Sequence, residues 1–251
     1  MRCRTILAVL FLFFIFGSQA LAKELSAREI LDYVDDLYRG KSSQGKMTMT
    51  ITTAYWQREL SIEFWNKGKE KSLIRIVAPQ KEKGTTTLRS GNDMWNFLPK
   101  VKKVIKLPSS MMSASWMGSH FTNDDLVKES RFTDDFTFEI TGRKEEKGRT
   151  IVEITCIPKP TAAVVWGKVV VYAYLDDYMP IKSLYFDEDM KLARTMFFSE
   201  IGASGSNRRL LKLLTIVPED KPKEKTVVRY DDIRYDIDLA DDVFSLRNLQ
   251  R

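Results

Sequence analysis

The chain has few of the residues on which metal and thiol chemistry depends. Its 251 residues include one histidine, His120, and two cysteines, Cys3 and Cys156. A single imidazole excludes any metal site that needs two histidines. Cys3 lies in a stretch that we expect to be removed, so the processed chain cannot form an intramolecular disulfide. These absences predict a protein that uses no metal ion and no other cofactor.

The sequence also lacks a long hydrophobic run. The longest, residues 6–16, is too short for a transmembrane helix, which needs ~20 apolar residues. It follows Arg2 and Arg4 and precedes the small-residue sequence Ala-Leu-Ala at 20–22. Positive residues, a short apolar run and an A-x-A site are typical of a cleavable export signal. We therefore predict a signal peptide over residues 1–22.

The remaining residues, 23–251, are expected to form a single domain. Loss of Arg2 and Arg4 reduces the net charge from +6 to +4, and the charges are dispersed. This balance is far from that of a nucleic-acid-binding protein, so we expect no nucleic-acid partner. A chain of 229 residues is long enough to be stabilised by its core alone. Cys156, in a strand-like run, is expected to be a buried packing residue.

One helix and many strands are predicted. Ser26 and Glu29 have the spacing of a capping box, apolar residues then recur at helical spacing, and Gly40 ends the helix. Beyond Gly40 the apolar residues alternate with a period of two, which indicates strands. We count about thirteen strand segments. They are 47–52, 59–64, 72–78, 85–89, 94–98, 103–107, 136–140, 150–158, 166–175, 180–186, 192–198, 209–217 and 225–235.

Short connections between these segments predict an antiparallel meander. A sheet of this size must curl, split or close, and a single long helix cannot cover it if it is flat. We therefore predict a mainly β protein with a strongly curved antiparallel sheet. A few helices would cover or plug its concave face. Thr122 and Asp125 have N-cap spacing for a second, short helix.

The connection over residues 107–121 is unusually apolar. Its Ser, Gly and Pro content and its lack of regular periodicity argue against a helix or a strand. Surface connections are normally polar, so its large side chains need a dry environment. They can line a pocket for a ligand, or they can cap the core of their own domain. The side chains are Met111, Met112, Trp116, Met117 and Phe121.

The strands supply further candidates for a pocket lining. Alternation places one set of apolar residues from the first two strands on the same face of the sheet, and the Met-Trp-Asn-Phe stretch adds two aromatic residues. Each is expected to be either a ligand contact or ordinary core. These candidates are Met47, Met49, Ile51, Leu60, Ile62, Phe64, Trp95 and Phe97.

A basic stretch lies between the aromatic strand and the apolar connection. Its lysines can steer the molecule to anionic lipid headgroups or to an acidic patch on a membrane partner. Lysines on an edge strand also prevent unwanted strand pairing, which is a purely structural role. The lysines are Lys100, Lys102, Lys103 and Lys106.

The sequence gives little support for an enzymatic function. Ser119 and His120 are adjacent, and Asp124 or Asp125 follows them closely. Neighbouring residues seldom reach the geometry of a catalytic triad, and the sequence has no G-x-S-x-G elbow. We therefore expect no catalytic residues and no enzymatic activity.

The order of motifs resembles the LolA-like "outer membrane lipoprotein-sorting" family. The similarity covers the mature chain and is most specific between Trp95 and Leu126. The motifs are Pro79 with Gly84, residues 88–95, Phe97-Leu98-Pro99, residues 116–119, residues 121–126, and the C-terminal stretches 230–235 and 242–246.

This resemblance implies an unclosed β-barrel with an apolar cavity and a helical lid. It places the chain in the superfamily of the periplasmic carrier LolA and its acceptor LolB, in a branch distinct from authentic LolA. Proteins of this branch are often associated with membrane export systems. No residue of this chain can be matched to the gating arginine of the carrier.

The function that follows is that of a periplasmic carrier or chaperone. It would shield the acyl chains of a lipid or an acylated lipoprotein, since exposing them to water costs ~0.8 kcal/mol per CH₂. The other possibility is an adaptor or ligand sensor that docks to an inner-membrane export system and transports nothing. In either case we expect a monomer.

Overall fold

The computed structural model describes residues 25–128, 132–162, 164–203 and 209–250. The predicted signal peptide lies outside these residues. Within them, all strands belong to one antiparallel sheet of thirteen strands, the number that the alternation predicts. The strands are β1 Ser42–Thr52, β2 Gln57–Lys67, β3 Lys71–Ala78, β4 Thr86–Ser90, β5 Asp93–Leu98, β6 Lys103–Lys106, β7 Phe136–Glu146, β8 Arg149–Pro158, β9 Lys168–Tyr174, β10 Pro180–Phe186, β11 Leu192–Ala203, β12 Arg209–Pro218 and β13 Lys225–Tyr235.

The strand order makes the sheet an unclosed barrel. It runs β6-β5-β4-β3-β2-β1-β13-β12-β11-β10-β9-β8-β7, so β1 pairs with β13 in the middle and β6 and β7 are the free edges. Antiparallel strands place successive turns at alternate ends. The β1–β2, β3–β4, β5–β6, β8–β9, β10–β11 and β12–β13 connections therefore share one end, which we call the lid rim.

Helices account for a small part of the described chain. None of them is long and apolar enough to cross a bilayer. The α-helices are α1 Ala27–Arg39, α2 Asn123–Lys128, α3 Phe132–Asp135 and α4 Leu246–Leu249, and short 3-10 turns lie at Ser109–Met111, Trp116–Gly118 and Asp241–Phe244.

The long helix α1 begins and ends where the sequence predicts. The backbone amide of Glu29 donates to the Ser26 hydroxyl, and the backbone amide of Ser26 donates to the Glu29 carboxylate at 2.8 Å. Gly40 follows as the C-cap with a φ of 59°. The apolar face of α1 packs on the concave side of β7, β8 and β9, in a cluster that includes Ile30, Leu31 and Ile154. The predicted plug on the concave face is confirmed.

Several strands are longer than the sequence predicts, and β7 is extended the most. The pattern assigned 136–140 to a strand and the stretch after it to a turn, whereas β7 continues to Glu146 and turns at Lys147 and Gly148. A register shift between Ile140 and Gly142 leaves Thr141 as an extra residue in β7. Because β7 is an edge strand with solvent on both sides here, charged residues replace the apolar alternation that marks a strand.

Two further clusters position the candidate site. The largest core cluster lies between the concave face of β1, β2, β3, β12 and β13 and the connection over residues 107–128, which we call the lid segment. Another cluster lies on the outer side of β3, β4 and β5, where Leu239, Phe244 and Leu249 of the C-terminal segment cover the sheet. Both faces of these strands are therefore buried.

We predict that Cys156 of the folded protein resists alkylation. The side chain is fully buried, and burial raises the pKa of the thiol to about 12, so the reactive thiolate forms only near that pH. Maleimide labelling at pH 8, mapped by peptide mass, should leave Cys156 unmodified in buffer and modify it in urea. Rapid labelling in buffer would contradict the buried position.

Candidate ligand-binding site

The concave face and the lid segment form a partly open cavity of about 100 Å³. Its wall is mainly apolar, and Phe64 and Tyr230 pack edge to face within it, with ring centroids 5.9 Å apart. Three polar residues at its edge add hydrogen-bonding groups. The lining consists of Met47, Met49, Phe64, Ile74, Trp116, Phe121, Leu126, Val228 and Tyr230, together with Asp35, Asn66 and Ser72.

The six strand residues predicted from β1 and β2 all face this side of the sheet. Met47, Met49 and Phe64 line the cavity. Ile51, Leu60 and Ile62 belong to the same buried cluster, in which they pack against other side chains and do not border the cavity. The alternation therefore identified the correct face, and the cavity occupies only a part of it.

Trp95 and Phe97 lie on the opposite face of the sheet. Both pack in the cluster that the C-terminal segment covers, so they do not line the cavity. Their neighbours face inward instead, where Met94 packs against the lid segment and Asn96 accepts a hydrogen bond from Thr87. Because both faces of β5 are buried, the period of two cannot tell which residues point inward.

The five apolar residues of the lid segment have different environments. Trp116 and Phe121 are buried and line the cavity. Met117 packs at the border of the same cluster, and Met112 packs beside Met94 in a smaller one. Met111 is 47% exposed. The segment contains only short 3-10 turns before α2, in agreement with the predicted irregular connection.

The four lysines of the basic stretch are all exposed. Lys100 and Lys102 lie in the β5–β6 turn at the lid rim, and Lys103 and Lys106 lie on the edge strand β6. Lys106 forms an ion pair of 2.8 Å with Asp93. The edge position fits the structural role for Lys103 and Lys106, and the two turn lysines lie exposed at the lid rim.

A buried ion pair joins the lid segment to β11. Arg194 donates to both carboxylate oxygens of Asp125, at 2.6 and 2.7 Å, and to the backbone carbonyl of His120 at 2.8 Å. The guanidinium also lies against the edge-to-face pair of Trp166 and Tyr185, 4.3 and 4.4 Å from their ring centroids. Asp125 is itself fixed, because its backbone amide donates to the Thr122 hydroxyl and its carboxylate accepts from the Thr122 amide.

A second arginine holds the lid segment from the opposite wall. Arg58, near the start of β2, donates to the backbone carbonyl of Met117 and lies 3.4 Å from the carboxylate of Glu82. Met117 has a φ of 53°, in the left-handed region that residues other than glycine seldom adopt. The unusual backbone turns this carbonyl towards the Arg58 side chain.

His120 forms a third connection. Its backbone amide and its Nδ1 atom lie 3.0 and 2.8 Å from the Thr226 hydroxyl on β13, and its Nε2 atom lies 3.4 Å from the Glu224 carboxylate. The Ala54 amide, with a smaller contribution from His120, lowers the pKa of Glu224. His120 therefore helps to attach the lid segment to β13 and to the turn before it.

Arg58 and Arg194 were not among the residues predicted for the site. A signal was nevertheless present. Arg58 belongs to the same period-two set as Leu60, Ile62 and Phe64, and Arg194 belongs to the set of Met196. A charged residue that continues an inward-facing apolar set must meet a polar partner inside the protein. Here the partners are carbonyls and a carboxylate of the lid segment.

The site offers an apolar surface with a polar edge and a cover held by hydrogen bonds. No group of three or more His, Cys, Asp or Glu in the described part of the chain could hold a metal ion. Apolar walls bind a ligand through the area that they remove from water, with little directional specificity. This arrangement suits a flexible apolar ligand.

Solved structures of the same architecture define the class of fold. A DUF1329 family protein from Desulfovibrio piger is 22% identical, with a TM-score of 0.80 over 89% of this chain and 97% of that chain. A putative outer membrane lipoprotein-sorting protein domain from Vibrio parahaemolyticus is 22% identical, with a TM-score of 0.78 over 89% and 98%. A LolA superfamily protein from Nitrosomonas europaea is 20% identical, with a TM-score of 0.77 over 89% and 99%. The chain has the LolA-like fold, as its motifs predicted.

The sequence family is defined separately. A family model described as "-like: Uncharacterized protein" matches residues 68–251, which is more than half of the chain, so the chain belongs to that family. A comparison with curated proteins finds no match.

We predict that Asp125→Asn lowers the free energy of unfolding by about 3–5 kcal/mol, because it leaves the Arg194 charge buried without its carboxylate. Urea denaturation measures the change. The matched control is Glu200→Gln, which removes the half-exposed 2.7 Å pair with Arg229 and should cost less than about 1 kcal/mol. Equal, small losses for both variants would show that the Asp125 pair is solvated.

Proposed function

We propose that this protein is a carrier that shields an acyl chain of a lipid or lipoprotein in the cavity beneath the lid segment. The main support is the position of Trp116 and Phe121, which cover an apolar cavity from a segment attached largely through backbone carbonyls. The LolA-like fold supports the same role. The proposal includes export to the periplasm, a single domain over residues 23–251 and no enzymatic activity.

The small volume of the cavity indicates whether the structure is an open or a closed form of the protein. A volume of about 100 Å³ is below the roughly 150 Å³ that holds one benzene molecule. An acyl chain therefore cannot enter while the lid segment is in this position. We infer that the structure is the closed form and that Trp116 and Phe121 occupy the space that a cargo would take.

The attachments of the lid segment allow such a movement. Arg58 and Arg194 donate to backbone carbonyls, and the His120 amide binds a hydroxyl. Water can replace each of these three partners when residues 116–121 move, so much of each hydrogen-bond energy is recovered. The buried Arg194–Asp125 ion pair lies beyond this stretch, so we assign the movement to residues 116–121 and not to Asp125. The apolar surface that opening exposes on both sides would be covered by the cargo, which links opening to binding.

The alternative is an adaptor or sensor that docks to an inner-membrane export system and carries nothing. The observation that favours it is the small cavity, because a domain that never opens needs no larger space. The two functions differ in whether the purified protein contains lipid.

The test is mass spectrometry of organic extracts from the protein purified without detergent. A carrier should yield near-stoichiometric lipid. Val228→Phe, which fills the cavity, should lose it, whereas Val217→Phe, the same change on the outer face of the neighbouring β12, should retain it. An empty cavity that also refuses fluorescent fatty acids would reject the carrier and favour the adaptor.

We predict that Arg58→Lys speeds the uptake of a fluorescent fatty acid. Lysine keeps a positive charge for Glu82 but has a single nitrogen, whereas the second terminal nitrogen of the Arg58 guanidinium also donates to the Met117 carbonyl. Stopped-flow fluorescence measures the rate. Arg75→Lys is the matched control, because Arg75 on β3 donates to the Asn248 carbonyl and lies over Trp65, in contact with the C-terminal segment instead of the lid segment. Equal rates in the two variants would contradict a latch at Arg58.

A further inference from the structure

The β1–β2 turn presents two aromatic side chains to solvent at the lid rim. Tyr55 is 93% exposed and Trp56 is 44% exposed. The turn is ordered, because the Thr53 amide donates to the Trp56 carbonyl at 2.9 Å and the Trp56 amide donates to the Thr53 hydroxyl at 3.1 Å. The Glu224 carboxylate accepts from the Ala54 amide at 3.2 Å. Aromatic surface is thus held in water on a fixed tip.

The turns on one side of this tip are basic. In sheet order the next two are the β3–β4 turn, with Lys81 and Lys83, and the β5–β6 turn, with Lys100 and Lys102. All four lysines are exposed, and none forms an ion pair with another described residue. The only acid within residues 53–58, 79–85 and 99–102 is Glu82, which is buried beside Arg58.

The turns on the other side have the opposite balance. The β10–β11 and β12–β13 turns, residues 187–191 and 219–224, contain six acids and three lysines, and the β8–β9 connection, residues 159–167, adds one lysine and no acid. The lid rim is therefore divided into a half with exposed aromatics and lysines and a half with an excess of acids. A planar surface of negative charge would meet the first half and be repelled by the second, which also sets the direction in which the barrel tilts.

We propose that the Tyr55–Trp56 tip docks the protein on an anionic phospholipid bilayer. Tyrosine and tryptophan favour the boundary between headgroups and acyl chains because their rings are apolar and their polar ends stay hydrated. Lysines on adjacent turns attract the anionic headgroups. Val101, 56% exposed between Lys100 and Lys102, adds a second apolar point of contact.

The tip is also connected to the lid segment. The Arg58 guanidinium lies 5.3 Å from the centroid of the Trp56 ring, and the same group donates to the Met117 carbonyl. A docked molecule would therefore hold the lid segment against the bilayer surface. The docking site does not depend on the carrier role, since an adaptor with the same rim would dock in the same way.

The experiment is sedimentation with vesicles of phosphatidylcholine, with or without phosphatidylglycerol, using protein whose mass shows that residues 1–22 are removed. The protein should bind the anionic vesicles, and salt should weaken the binding. Brominated lipids should quench its tryptophan emission. Trp56→Phe should keep the binding but lose most of the quenching, because the emitting ring at the tip is gone and an aromatic anchor remains.

Two variants test the contacts. Tyr55→Ser with Trp56→Ser, and separately the change of Lys81, Lys83, Lys100 and Lys102 to Gln, should each weaken binding by roughly tenfold or more. Tyr55→Ser alone is the control for misfolding. Its side chain is so exposed that its loss should hardly change stability, so any loss of binding would come from the lost contact. This variant should weaken binding measurably with an unchanged melting temperature.

Matched controls use the same chemistry elsewhere. Phe197→Ser removes a 43% exposed aromatic residue from the middle of β11, and the change of Lys69, Lys144, Lys147 and Lys212 to Gln removes four charges towards the opposite end. Both controls should bind as the parent does. Absence of binding to anionic vesicles at low salt would overturn the proposal and favour an acidic protein partner for this rim. Equal losses in the control variants would overturn it as well.

Discussion

The pairing of β1 with β13 is the constraint on which the rest of the structure depends. It joins the first and last strands in the middle of the sheet, with Met47 opposite Tyr230 and Met49 opposite Val228. These pairs bring cavity-lining residues from the two ends of the chain side by side. The same pairing leaves β6 and β7 as free edges, so the chain between them must cross the open side of the barrel. That crossing chain is the lid segment.

The lid segment combines a buried apolar side with polar attachments. Trp116 and Phe121 remove apolar area from water, whereas Arg58 and Arg194 hold the backbone from opposite walls. The apolar part favours any state in which these side chains are covered, either by the protein or by a cargo. The polar part favours the closed position specifically. The balance between the two decides how readily the site can open.

The lid rim combines the cover of the cavity with an exposed aromatic surface. The tip with Tyr55 and Trp56 and the lid segment share Arg58, so the exposed aromatic surface and the cover of the cavity lie at the same end of the barrel. Residues 23–251 are only mildly basic, and their net charge does not show the separation. The separation arises because consecutive turns of a meander lie beside one another, which groups their lysines on one side and their acids on the other.

The sequence by itself determined the strand count, the capped helix α1, the inward face of β1 and β2 and the burial of Cys156, because each depends on a local period or on a short capping motif. It could not decide which face of β5 points inward, since both faces are apolar. Trp95 and Phe97 were predicted to face the cavity, and the structure has them on the outer side. The sequence also could not extend β7 to Glu146, because an edge strand in solvent carries no apolar alternation. Only the tertiary structure decided the cavity volume and the partners of Arg58 and Arg194, since these contacts join residues that are far apart along the chain.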